Sequence, residues 1–356
     1  MKRILFLLTL LFISIASKSQ SDSPWSNYKR CFDSLKILAD GNGSFKKAVF
    51  LTENCFMENQ LHYEKFDQYI NKMVAIIKGY QLANPLLNYH FPDSIDFHNN
   101  MAIYKILKDT IKLLGLDGKE YSLMPYGYDF NDFFGRENWS NMFVTKLLYT
   151  HKGNCHSLPY LYKILADEIG ASCWLTLAPD HIYIQNRCKK TGWYNVELTS
   201  GSFPVDGWIM ASGYLPLQAV QSGIYMDTLG NRQSIALCIL DLAKEYESQV
   251  KNYDDGFIID CCNLVLYYNP NNAQAILLKA ETLKRIYQRE TKEQRPMATD
   301  TYTQMEQLYV KLFDLGYREM PEKMYMDWLL SVNKEQAKYE NKKVTGAMQL
   351  KKVNNN

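Results

Sequence analysis

The chain has 356 residues, 47% of them hydrophobic and 22% charged, with a formal net charge of +2 at neutral pH. That length suits two or three ordinary domains, and a composition so rich in apolar residues buries a core, which excludes a disordered or fibrous chain. The charge is nearly balanced and locally basic only around Lys342, Lys343, Lys351 and Lys352, so the concentrated positive footprint of a nucleic-acid binder is missing.

The first twenty residues, MKRILFLLTLLFISIASKSQ, join a basic start (Lys2, Arg3) to an apolar run from Ile4 to Ala16 and to small residues, Ser17 and Ser19, before Gln20. This pattern predicts a signal peptide over 1–19 and an exported protein, periplasmic or secreted. An uncleaved anchor is the alternative, but the run falls short of the roughly 20 apolar residues that a membrane span needs. No later segment is as apolar, so no membrane span is expected after cleavage. Loss of Lys2, Arg3 and Lys18 would turn the net charge of +2 into −1.

Residues 20–120 read as a helical N-terminal region. Apolar side chains recur at three- and four-residue steps in FDQYINKMVAIIKGY and in NNMAIYKILKDTIKLLGL, and the second run is expected to end at Gly115 or Gly118. Pro85 and Pro92 separate the helices.

Between 121 and 230 the texture becomes aromatic and glycine-punctuated. One helix is expected first, from the spacing of Leu158, Leu161, Leu165 and Ile169, with Pro159 in its first turn and Gly170 at its stop. Three strands should follow, SCWLTL, HIYIQN and WYNVELT, as an antiparallel meander. Alternation puts His181, Tyr183 and Gln185 on one face and Trp193, Asn195 and Glu197 on another shared face. Pairing Gln185 with Trp193 would set His181 opposite Glu197.

Residues 231–340 read as helical again. DCCNLVLYYNPNNAQAILLKAETLKRIY sets an Asn-Pro turn between two amphipathic helices, in the manner of a tetratricopeptide hairpin, although a plain helical bundle fits as well. The segment 341–356 is expected to be a disordered basic tail.

Eight cysteines, at 31, 55, 155, 173, 188, 238, 261 and 262, invite disulfides in an exported chain, but their spacing makes no dense framework. No two C-x-x-C elements occur and no acidic cluster has calcium-loop spacing, so neither a metal nor another cofactor is expected. Cys261 and Cys262 read as core fillers. Cys155 could be a half-cystine, a buried filler or a nucleophile. Its place at a helix start favours the thiolate, and a histidine can hold the displaced proton. His181, 26 residues on, is the candidate base, and Glu197 the candidate partner that orients it. Asn195 on the same face is the substitute orienter. His156 reads as a surface or supporting residue, Asp180 as turn chemistry, and Trp174, Trp193 and Trp208 as core or groove wall. Backbone N–H groups at Cys155 and its neighbours would face a developing oxyanion.

The order Gly153-x-Cys155 at a helix start, Pro179-x-His181 on a strand and Trp193 four residues before Glu197 on the next resembles the transglutaminase-like superfamily, which has a papain-like cysteine fold. The match covers about residues 135–200. Helices before it and tetratricopeptide-like helices after it resemble, in architecture alone, proteins that join such a domain to tetratricopeptide repeats. The resemblance implies an α+β fold, with a helical N-terminal part, a papain-like core carrying a small antiparallel sheet, and C-terminal helices. It also implies a catalytic Cys155, His181 and Glu197, with Glu standing where many members have Asp, and a peptide or protein substrate attacked at an amide bond through a thioester. Trp139 and Asn141 are candidates for a side chain that helps to hold the oxyanion. The alternatives are a catalytically silent scaffold or adaptor that binds a protein partner through its tetratricopeptide-like helices, and a redox or metal role for Cys155 and His181.

Overall fold

The structure is a computed structural model that describes residues 24–350 with the exception of Leu116. The expected signal peptide lies outside the described residues. The class is α+β. Four helices come first, α1 (Pro24–Asp40), α2 (Phe45–Phe56), α3 (Tyr63–Ala83) and α4 (Ser94–Lys108). Strands β1 (Ile111–Leu114), β2 (Glu120–Leu123) and β3 (Gly127–Tyr128) follow, then helix α5 (Val144–Thr150), strand β4 (Lys152–Gly153) and helix α6 (Ser157–Ile169). The main sheet uses β5 (Trp174–Ala178), β6 (His181–Cys188) and β7 (Gly192–Val196). Two short helices, α7 (Asp206–Ser212) and α8 (Leu217–Gln221), lead to strand β8 (Thr228–Leu229). The remainder is helical: α9 (Asn231–Gln249), α10 (Phe257–Tyr268), α11 (Ala273–Lys292), α12 (Ala298–Asp314), α13 (Glu322–Tyr339) and α14 (Lys342–Ala347). No described helix is long and apolar enough to cross a membrane.

The main sheet runs β7-β6-β5-β8, antiparallel throughout. The meander expected from the sequence is present, but its register is displaced by two residues, since Gln185 faces Asn195 and Arg187 faces Trp193. A two-residue slip preserves the face of every side chain, because strand alternation has period two. His181 and Glu197 therefore stay on one side of the sheet without being directly opposed. The other face, with Leu175, Ile184 and Val196, is buried in the same apolar cluster as Leu158, Leu161 and Leu165 of α6. Helix α6 ends as its sequence suggested: Gly170 takes a left-handed φ of 71°, and Ala171 N–H donates to the Ala166 carbonyl.

Two expectations fail. The run NNMAIYKILKDTIKLLGL is not one helix; α4 stops at Lys108, and Ile111–Leu114 pairs as β1 with β2. The alternation of half-buried Ile111 and Leu113 with exposed Lys112 and Leu114 suits a strand, and Asp117-Gly118 closes the hairpin with Gly118 at φ 75°. The basic tail is not disordered over its first part. Residues 342–347 form α14, whose Val344 and Ala347 are buried, and Leu350 bridges Leu86. An apolar residue every third or fourth position is enough to anchor a short, otherwise basic helix. Residues 351–356 lie outside the described residues.

The largest apolar cluster runs from Tyr28 of α1 through α2, α4, α6 and the sheet to α9, α10 and Met348 after α14. The boundaries read from composition at 120 and 230 thus do not divide the core. Helices α9, α10, α11 and α12 pack on their sequence neighbours, and α9 also packs against α1 and α2.

Candidate active site

Cys155 lies in the turn before α6, two residues ahead of its first helical residue. That turn is shaped by close packing and by one side chain. A Cβ on Gly153 would stand 2.5 Å from Ser157 Oγ and 2.8 Å from a methyl of Leu147, so no other residue fits there without displacing its neighbours. Asn154 Oδ1 accepts from the N–H groups of both His156 and Ser157 at 3.0 Å, and Asn154 N–H donates to Ser157 Oγ at 3.1 Å. These bonds correct the expectation that several N–H groups would face an oxyanion. Of the N–H groups at 154–157, only that of Cys155 has no acceptor among the described residues.

The β5–β6 hairpin brings the histidine. Its two loop residues are Pro179 and Asp180, flanked by the pair Ala178 and His181. Asp180 adopts a left-handed φ of 52°, which Asp tolerates better than most residues. The turn chemistry expected of Asp180 is therefore found, and its carbonyl accepts from Cys155 Sγ at 3.6 Å. His181 opens β6 on the face away from α6, 4% exposed. Its Nε2 meets Glu197 Oε2 at 2.6 Å, and Glu197 Oε1 accepts from Thr199 N–H at 2.8 Å. The other ring nitrogen, Nδ1, lies 3.3 Å from the hydroxyl of Tyr325, which in turn donates to Cys155 Sγ at 3.1 Å. Sulfur and carboxylate thus occupy opposite sides of one imidazole.

The electrostatics follow from that geometry. Burial works against the thiolate, but hydrogen bonding and charge from His181, with a further bond from Tyr325, overcome it and hold Cys155 below the ordinary thiol range. Burial likewise opposes a charged imidazole; Glu197 and the thiol prevail and raise His181 to about 10. Glu197 is pushed up by burial and pulled further down by His181 and the Thr199 amide, ending below the usual carboxylate range. These shifts favour a thiolate beside an imidazolium over the neutral pair. By contrast, burial pushes the thiols of Cys173, Cys238, Cys261 and Cys262 up, and hydrogen bonding with Cys55, followed by burial, does the same to Cys31. All eight cysteines are free and buried.

Helix α13 supplies what sequence reasoning missed. Tyr325 is fully buried against the thiol, and the Trp328 ring meets that of His181 edge-on at 4.7 Å. Both belong to an apolar cluster with Phe133, Cys155, Tyr183, Trp208 and Met320. The dense aromatic and methionine content of MPEKMYMDWLL was the available signal, but it lies in a region read as tetratricopeptide-like. Tyr128 is a second phenol near the thiol, with its hydroxyl buried close to Cys155 and Tyr325.

The remaining candidates separate by position. Trp139 and Asn141 are not in the wall around the thiol. Asn141 is committed to Asp132 and Lys146, so the side-chain helper expected from these two residues is not found there. Asn195 accepts from Gln185 and donates to Asp206, away from the imidazole. His156 is half-buried and paired with Asp241 at 3.0 Å. Trp193 is 46% exposed at the sheet edge against Trp174, whereas Trp208 is core.

Two adjoining cavities lie at this centre, and one of them reaches the thiol and the imidazole. One, of about 170 Å³, is lined by Cys155, His181, Phe134 and Ile224. The other, of about 570 Å³, shares His156, Tyr160, Asp180 and Asp241 with it and extends to Glu53, Glu245 and Glu319. No protein-family model, no curated protein and no solved structure matches the chain.

Proposed function

We propose that the chain is an exported transglutaminase-like cysteine enzyme with a papain-like core, acting on amide bonds of a peptide or protein. The observation that carries this reading is the single imidazole held between Glu197 at 2.6 Å and the thiol side, where Tyr325 bridges to Cys155. In the reaction, the Cys155 thiolate adds to the amide carbonyl, and the resulting oxyanion faces the Cys155 N–H. The C–N bond then breaks, His181 gives its proton to the departing amine, and a thioester remains on Cys155. Water or a second amine, deprotonated by His181, attacks the thioester and restores the thiolate. Glu197 keeps the ring in place and compensates its charge through both steps.

Mass spectrometry of iodoacetamide labelling tests the reading. At pH 7, Cys155 is expected to alkylate before the other seven cysteines and faster than free cysteine. Labelling no faster than its buried counterparts, or capture of Cys155 in a disulfide, overturns it.

The cover formed by α13 favours a second reading, in which the fold persists as a scaffold or adaptor without turnover. Cys155 is only 7% exposed. On that reading Cys155→Ala leaves partner binding by the C-terminal tetratricopeptide-like helices intact, whereas substitutions in residues 254–290 abolish it.

A further inference from the structure

The larger cavity is walled by carboxyl groups whose charges are poorly matched. Of its cationic groups, Arg136 is paired with Glu322 at 2.6 Å, His156 with Asp241 at 3.0 Å, and Lys244 reaches Gln274 at 3.4 Å. Glu53 is spent on the start of α5, accepting from Val144 and Thr145 N–H at 2.6 and 2.9 Å. Glu245 is different. It is 1% exposed and lines this cavity, Trp139 is the one side chain whose hydrogen bonding pulls its carboxyl down, and its Oε2 is buried with no hydrogen-bond partner within reach among the described residues. Leaving such an atom buried is unfavourable, the more so if charged, unless something satisfies it. Burial first, then Asp241, Cys55 and Glu53, push the Glu245 carboxyl well up, as expected of an acid lacking a counter-charge.

The walls say which cation would fit. Among the described residues, no three His, Cys, Asp or Glu side chains converge as metal ligands. Trp139, Phe134, Phe143 and Tyr160 instead offer apolar and aromatic surface next to the carboxyls. A charged head on a hydrocarbon stem matches both features, with methylenes against rings and the head toward the acids. Cys155 lines the smaller cavity and not this one. A cation seated near Glu245 would thus occupy a recess adjoining the one that holds the sulfur.

We propose that this recess is a specificity subsite that receives a cationic side chain, of lysine or arginine type, from the substrate peptide, with Glu245 as its recognition residue. The proposal rests on the amide-bond reading for the word substrate, but the binding itself does not require a reactive thiol. The test therefore uses the chain carrying Cys155→Ala and calorimetric titration with blocked pentapeptides Ala-Ala-X-Ala-Ala, where X is lysine, arginine, norleucine or glutamate. Lysine or arginine peptide, or both, should bind at least tenfold more tightly than the norleucine and glutamate peptides. The difference between the first two identifies the preferred head group. Adding Glu245→Gln should remove that tenfold advantage and leave norleucine binding unchanged. Should Glu245→Gln fail to fold, Glu319→Gln at the exposed rim of the recess is expected to weaken the cationic peptides selectively. Equal binding of all four peptides, or a cationic preference that survives the folded substitution, overturns the subsite. Slow alkylation of native Cys155 together with selective cationic binding would sink the enzyme reading and spare the subsite.

Discussion

A buried imidazole that carries a charge depends on its counter-ion, so Glu197 is the residue whose loss should be felt most widely. Glu197→Gln removes the negative partner, lowering His181 from about 10 and thereby raising Cys155, which His181 holds down. The pH profile of Cys155 alkylation should move its inflection upward, toward the free-thiol value of about 8.5. Turnover of an amide substrate should fall on the order of 10²–10⁴-fold. Stability has a defined sign as well. The raised His181 contributes fully below its unfolded value of about 6.5 and loses that contribution as pH rises through about 10. The depressed Glu197 contributes above its unfolded value of about 4.3 and loses that contribution as pH falls through its folded value. Urea melts of Glu197→Gln should therefore show the largest deficit between about pH 5 and 6.5, shrinking toward pH 10. That Cys155, His181 and Glu197 gather in one place was legible in the sequence, because a cysteine at a helix start and a histidine and a glutamate on neighbouring strands leave local signatures. Tyr325 was not, since it reaches Cys155 from 170 positions away and no local pattern encodes so distant a contact.

At the scale of elements, α13 both covers the centre and touches its sulfur, and two substitutions separate these effects. Tyr325→Phe keeps the ring and deletes the hydroxyl that donates to Cys155 at 3.1 Å. It should raise the alkylation inflection with little change in access, at a cost of about 1 kcal/mol in the bond lost. Trp328→Ala strips the ring that meets His181 edge-on and should increase the iodoacetamide rate at least tenfold while leaving the inflection in place. Stopped labelling at a series of pH values distinguishes the two. Periodicity revealed α3, α6 and the meander because their apolar residues repeat on one face. It misread α4 past Lys108, where Ile111, Leu113 and Leu114 satisfy helical and strand spacing alike until the Asp117-Gly118 turn decides. The two-residue register error in the sheet had the same origin, because alternation fixes a face and not a partner.

The broadest of the apolar clusters, in which α9 joins the first two helices to α6, the sheet and α10, reaches from one end of the described chain to the other. Ile239 of α9 is fully buried there. Ile239→Ala should cost about 2–5 kcal/mol, and because that cluster spans both ends of the described chain, far- and near-ultraviolet dichroism should still report one urea transition. Separate transitions would show that the N-terminal helices unfold on their own. The composition changes near 120 and 230 were real features of the sequence. They marked changes of secondary structure, whereas the packing between α1, α2 and α9 is long-range and invisible to composition.

Asn154 has a consequence for how the thiol is tuned. By capturing the N–H groups of His156 and Ser157, it blunts the positive end of α6 just where a sulfur anion would have drawn on it. Stabilising the anion then falls to His181 and to the phenol of Tyr325, whose helix packs against this centre while other elements line the cavity that reaches the sulfur. A shift of that helix would therefore retune the sulfur without itself opening the way in.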